Sequence, residues 1–192
     1  SFDVVLKAVA ELAREEDVFL VHIGEGPELP HLKALAKELG VADRVLFLGP
    51  VPYRRIGGYY RLAELFLFAS ETETQGLGPG AARARGGPGG GGGRGGVWEG
   101  VEDGKTGFLV PPGDFRALAE KALELLKDEE RRRRFSLQAR AFALKRSAET
   151  IAEQIVAVYD EASEILRVEP RRLIFPFPRL PRSSLEDRPG GF

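Results

Sequence analysis

Three times within the first 69 residues, a stretch with helical apolar spacing gives way to a short, unbroken apolar run. Val4, Val5, Ala8, Val9 and Leu12 recur at the helical period, and VFLVHIG from Val18 to Gly24 follows as a strand. Leu29, Leu32, Leu35, Ala36 and Leu39 mark a second helical face closed by Gly40, and Arg44 to Leu48 is a second strand ended by Gly49. Tyr53 to Ala63 and Leu65 to Ala69 repeat the cycle. Strands that are apolar throughout, alternating with helices, imply a parallel sheet covered by helices on both faces, an α/β fold. Ligands in such folds bind at the carboxyl ends of the strands, which directs attention to Gly24 to Pro27, Gly49 to Pro52 and Ser70 to Leu77.

Further along, Gly107 to Val110 reads as a strand stopped by PPGD, and Asp114 is placed to cap a helix from Phe115 to Lys127. Two more helices are expected over 129–145 and 148–166; Ile151, Ile155, Val158, Tyr159 and Ala162 give the last an apolar stripe for packing. The remaining 26 residues hold five prolines and clustered arginines without periodicity, so 167–192 reads as an irregular tail after a domain spanning 1–166.

At 43% hydrophobic residues, 192 positions suffice for a real core. A net charge of -1 gives no reason to expect nucleic acid as a partner. The absence of cysteine excludes disulfides, thiolate metal sites and a cysteine nucleophile. With no apolar run near the length of a membrane span and no signal-like start, the expected location is the cytoplasm. Methionine is also absent, so the chain is expected to be a fragment. Arginine outnumbers lysine threefold and asparagine is missing, a bias that suits a thermophile.

Between Gly78 and Arg94, nine of 17 residues are glycine. At about 1 kcal/mol each in a helix, so many glycines approach the roughly 5–15 kcal/mol that stabilises a domain, and neither helix nor strand is expected to persist there. A flexible linker is one alternative; a phosphate-cradling loop lacks the Lys-Ser/Thr that should follow it. Just before this run, Glu73 lies in a strand-end loop, and Gly76 and Leu77 could offer free N–H groups at a helix start. Position alone favours the plainer reading, in which Glu71 and Glu73 are solvated loop carboxylates beside a Thr72 or Thr74 cap.

Gly24-Glu25-Gly26-Pro27-Glu28, VLFLGPV, LAELFLFASETETQGL and VEDGKTGFLVPPGD, in that order, resemble the C-terminal half of family 4 (group 1) glycosyltransferases. The resemblance covers about 1–162. It implies one half of a GT-B fold, a Rossmann-like domain that binds a nucleotide-sugar donor and carries added C-terminal helices. It also implies that Glu73 contacts donor-sugar hydroxyls and that a second glutamate grips the ribose; that second position is Ala81 here. Gly24 and Gly26 would lie near the donor, and backbone around Pro50 and Val51 would read the base. The family's small-residue helix and Gly-x-Pro-Val-Val strand keep their register through Gly86 and Pro88, with Gly89 and Gly90 at the valine positions. Each difference is one T or A changed to G or C at a middle codon base, so Gly78 to Arg94 reads as an altered version of an ordinary segment; intact glycine codons in the gene would exclude that.

The resulting expectation is the donor-binding half of a retaining glycosyltransferase, inactive alone, acting on a nucleoside diphosphate sugar and meeting its acceptor through an N-terminal domain. A nucleotide-sugar epimerase of the same fold and a non-catalytic remnant or interaction module stand as alternatives. No cofactor and no metal site are expected: His22 lies in a strand and His31 at a polar helix start, with no second ligand beside either. Gly24-x-Gly26 without a third glycine reads as a strand-to-helix turn, and Arg131 to Arg134 as a solvated basic face, with a membrane-surface role the lesser alternative. The Pro178-x-x-Pro181-Arg182 sequence could serve as a polyproline ligand or simply belong to the tail.

Overall fold

The computed structural model describes residues 2–69, 89–92, 101–145 and 147–166. Helix α1 (Phe2–Leu12) leads to β1 (Leu20–Ile23), α2 (Leu29–Glu38), a 3-10 turn (Ala42–Arg44), β2 (Val45–Gly49), α3 (Tyr53–Leu62) and β3 (Phe66–Phe68). After these come β4 (Gly89–Gly92), β5 (Gly107–Val110), α4 (Phe115–Lys127), α5 (Glu129–Leu144) and α6 (Ala148–Leu166). The chain divides into two units after Lys145, and α6 belongs to the second.

Strand β1 pairs with β2, and β4 runs between β3 and β5; every pairing is parallel. Helix α1 is central because its sequence carries two adjacent apolar stripes. Val5, Ala8, Val9 and Leu12 enter a core with Ala69, Val110, Leu118, Ala119 and Ala122, while Leu6 packs with Leu32, Ala36, Val41 and Val45. The alanines Ala8, Ala119 and Ala122 leave little side chain between α1 and α4, so the two helices approach closely.

Helices α1 and α2 cover one face of β1 and β2; on the other, the cross-strand partners Val21 and Leu46 are 46% and 55% exposed among the described residues. Helix α3, the next in sequence, buries no residue fully and exposes Tyr53 and Leu62, so it does not seal that side. One expectation is corrected: the glycine run does hold regular structure at its centre, since Gly89–Gly92 forms β4. Glycine keeps the N–H and C=O that make a ladder, and two neighbouring strands offset the roughly 0.5–1 kcal/mol that each glycine costs. The strand also falls where the family resemblance put it.

Asp114 accepts a hydrogen bond from the Ala117 N–H (2.9 Å) and caps α4; Asp128 accepts from the Arg131 N–H (2.8 Å) and caps α5. The arginine run is only partly a solvated face. Arg131 lies over the rings of Phe108 and Phe135, its Cζ 5.1 and 5.5 Å from their centroids, and bonds Glu124 at 3.2 Å. Arg132 donates to the carbonyls of Leu125 and Leu126 at the end of α4 (2.8 and 2.9 Å) and pairs with Glu64 at 3.0 Å. These are carbonyls that a helix end leaves unpaired. Arg132→Ala is therefore expected to cost about 1–3 kcal/mol, read as a lower urea midpoint with unchanged m-value. Arg132→Lys should recover part of that loss; no change in either variant would contradict the capping role.

In the second unit, Ser147 Oγ accepts from the Thr150 N–H at 3.2 Å and caps α6. The stripe expected to pack is exposed at Ile151, Ile155, Val158 and Tyr159.

Candidate functional site

Because β1 and β2 are parallel, the segments that follow them emerge at the same edge. Gly24 takes φ +134° and Gly49 φ +72°, values that L side chains rarely adopt, and both glycines turn the chain sharply out of the sheet. The Gly24 N–H donates to the Gly49 carbonyl at 2.9 Å, joining the two strand ends. This geometry brings Gly24 together with the start of the Pro50-Val51 segment. Gly26, two residues on, is exposed and accepts from the Leu29 N–H (3.1 Å), so the Gly-x-Gly sequence is a strand-to-helix turn delivering the chain into α2. Neither α2 nor α3 has a side-chain cap at its N-terminus. Pro50 is exposed and Val51 half-buried directly before α3.

Sequence reasoning did not single out Arg54 and Arg55. Both are exposed in the first turn of α3, and with Arg61 they make this helix basic, with no acidic residue. Their nearness in sequence to Gly49 was the available signal. Glu73, Gly76, Leu77 and Ala81 lie outside the described residues, as does the tail with its Pro178 and Pro181. Strand β3 ends at Phe68, and Ala69 after it is buried.

The VEDGKTGFLVPPGD segment divides between both ends of β5. Its first half is a tight turn before the strand: Thr106 is 2% exposed, its Oγ1 accepts from the Glu102 N–H (2.8 Å), and Asp103 Oδ1 accepts from the Leu109 N–H (2.9 Å). Gly104 takes φ +72° there and donates its N–H to the Gly107 carbonyl. These residues are structural, at the edge opposite the carboxyl ends. PPGD, at the carboxyl end, reverses the chain into α4.

His22 packs between Phe2 of α1, edge-on with centroids 4.4 Å apart, and its cross-strand partner Phe47 at 5.5 Å. Its Nδ1 is buried without a partner, and burial pushes its pKa below the usual 6.5. The folded state thus favours neutral His22 and binds fewer protons than the unfolded chain. Its contribution to stability is complete above pH 6.5 and is lost as pH falls through the depressed folded value. His22→Phe is expected to flatten the fall of urea midpoint between about pH 7 and 5, where carboxylates still contribute little; an unchanged slope would contradict this. The residue serves the core behind Gly24, as its strand position implied.

Among the described residues no cluster of His, Cys, Asp and Glu could hold a metal, and no helix is long and apolar enough to cross a membrane.

Residues 1–142 match the model of the family described as glycosyl transferases group 1. The N-acetyl-alpha-D-glucosaminyl L-malate synthase of Bacillus anthracis is 36% identical over 156 residues, covering 81% of this chain and 40% of that protein. Anabaena HepE, solved in complex with UDP, superposes with a TM-score of 0.75 at 26% identity, over 82% of this chain and 44% of that one. The C-terminal domain of a group 1 glycosyl transferase (LpcC) from Francisella tularensis superposes with a TM-score of 0.69 at 24% identity, over 75% of this chain and 77% of that domain. The last comparison speaks to fold alone. The chain thus spans about two fifths of the curated relative it matches. With α/β architecture, parallel strands and GT-B structural neighbours, the chain belongs to the group 1 glycosyl transferase family.

Proposed function

We propose that this chain is the donor-binding half of a retaining glycosyltransferase that moves a sugar from a nucleoside diphosphate to an acceptor hydroxyl. The observation that carries the reading is the joined carboxyl edge, where Gly24 and Gly49 bend two strand-end segments out of the sheet side by side. Binding at this edge is the rule for parallel α/β sheets. HepE, similar in fold and sequence, was crystallised with UDP, which supports a nucleoside diphosphate as the ligand class.

In this reading backbone groups at Pro50 and Val51 meet the base, the turn at Gly24 and Gly26 lets the chain pass close to the donor, and Glu73 orients the sugar hydroxyls. As the diphosphate leaves, amides at Gly76 and Leu77 neutralise its growing charge, and the acceptor attacks from the face it vacates. The protein's part is positional and electrostatic. Arg54 and Arg55 add positive charge beside the base-reading segment. The acceptor site and the catalytic base belong to an N-terminal domain in this reading, so the chain alone does not turn over a nucleotide sugar.

Calorimetric titration with UDP, GDP and ADP tests the reading. Millimolar or tighter binding of at least one is expected. Absence of heat with all three would leave a folded remnant that binds no donor, and turnover by the chain alone would overturn its assignment as half an enzyme.

A further inference from the structure

Helix α5 carries a second apolar row that the described residues of its own unit leave exposed. Its inner face is fixed by Phe135 and Ala139, both buried, and by the contacts of Arg131 and Arg132. That anchoring sets which residues point outward. At 100° per residue, Leu137 and Leu144 fall on the opposite face, seven residues and about 10 Å apart. They are 64% and 58% exposed. Arg133 and Arg140 flank the row on one side, Arg134 and Lys145 on the other, all exposed and without an ion pair among the described residues. The acidic residues Glu129 and Glu130 are confined to the first turn, where Glu130 begins the row seven residues before Leu137.

We propose that this outward face of α5 is a docking ridge for an anionic lipid surface. Two leucines on a convex helix cannot enclose a ligand, but they can enter the boundary between headgroups and acyl chains. The long basic side chains on both flanks would reach outward to lipid phosphates while their stems cover the leucines. Basic residues on both sides of the row match a plane of uniform negative charge better than a protein groove, whose two walls seldom carry the same sign. The leucines distinguish the ridge from a site for nucleic acid, where phosphate contacts need charge alone. Attraction of this kind adds with each basic residue and weakens with salt. The ridge is independent of the donor edge, and its test does not involve a nucleotide.

Sedimentation of the 192-residue chain with vesicles tests the proposal, comparing pure phosphatidylcholine with mixtures containing about a third phosphatidylglycerol. Binding to the anionic vesicles is expected to be at least about tenfold stronger and to fall as salt is raised. Arg133→Glu with Arg140→Glu should reduce it at least about tenfold, and Leu137→Ser with Leu144→Ser should remove the part that resists salt. Circular dichroism should show both double variants folded, since all four side chains are exposed. Equal binding to neutral and anionic vesicles would overturn the proposal. So would undiminished binding of both variants, which would move the contact to another segment, or equal retention on an acidic polypeptide, which would reduce the ridge to a general anion binder.

Discussion

Ala81→Glu is expected to tighten UDP binding by about a hundredfold or more. Two ribose hydroxyls donating to one carboxylate form charge-assisted hydrogen bonds worth roughly 1.5–3 kcal/mol each, and every 1.4 kcal/mol is a factor of ten. Alanine at this position offers no acceptor, so wild-type affinity should sit at the weak end of the family's range. Ala81→Gln supplies acceptor oxygen without charge and should recover less than glutamate does. Calorimetry on the three proteins reads the order directly. If glutamate leaves the affinity where alanine has it, residue 81 is not at the ribose and the register through the glycine run is wrong.

The second large effect is on stability. The ladders align Leu67, Gly90 and Phe108 in one row across β3, β4 and β5, with Gly92 beside Val110 two residues on. Phe108 and Val110 are buried and Leu67 packs on the α1 and α4 core, so the register sets Gly90 on the same face of the sheet as these three. Gly90→Val should add about 1.5–3 kcal/mol from burial and about 0.4–1 kcal/mol from a less flexible unfolded chain. A rise in urea midpoint with little change in slope is the expected reading. Gly91→Val, on the other face beside Phe68 and Leu109, should gain less. Loss of stability in Gly90→Val would show that the neighbouring side chains already fill the row.

What the sequence made legible follows from range. Strand β5 and helix α4 fall where GFLV and Asp114 placed them, because turn, cap and apolar spacing are all local there. Strand β1 begins later than the apolar run suggested, since the Val18 N–H bonds the Glu16 carbonyl in a turn before the ladder starts. The anchoring of Arg132 was not legible, because its partners Glu64, Leu125 and Leu126 lie on other elements and leave no period on α5. Strand β4 forms against its composition because a glycine penalty measured in isolation ignores ladders on both sides. For the proposed site, the glycines at two strand ends point to the edge. The VEDGKTGFLVPPGD motif, by contrast, begins with a turn at the other end of β5, held by Thr106 and Asp103.

The central claim is that a nucleoside diphosphate binds at the carboxyl edge. Amide chemical shifts of the labelled chain during a UDP titration test it most directly. The account predicts movement at Gly24, Gly26, Gly49 and Val51, with Gly104, Thr106 and Gly107 unmoved. Movement centred on the Gly104 to Gly107 turn, or no movement at millimolar UDP in either the wild type or Ala81→Glu, would contradict it.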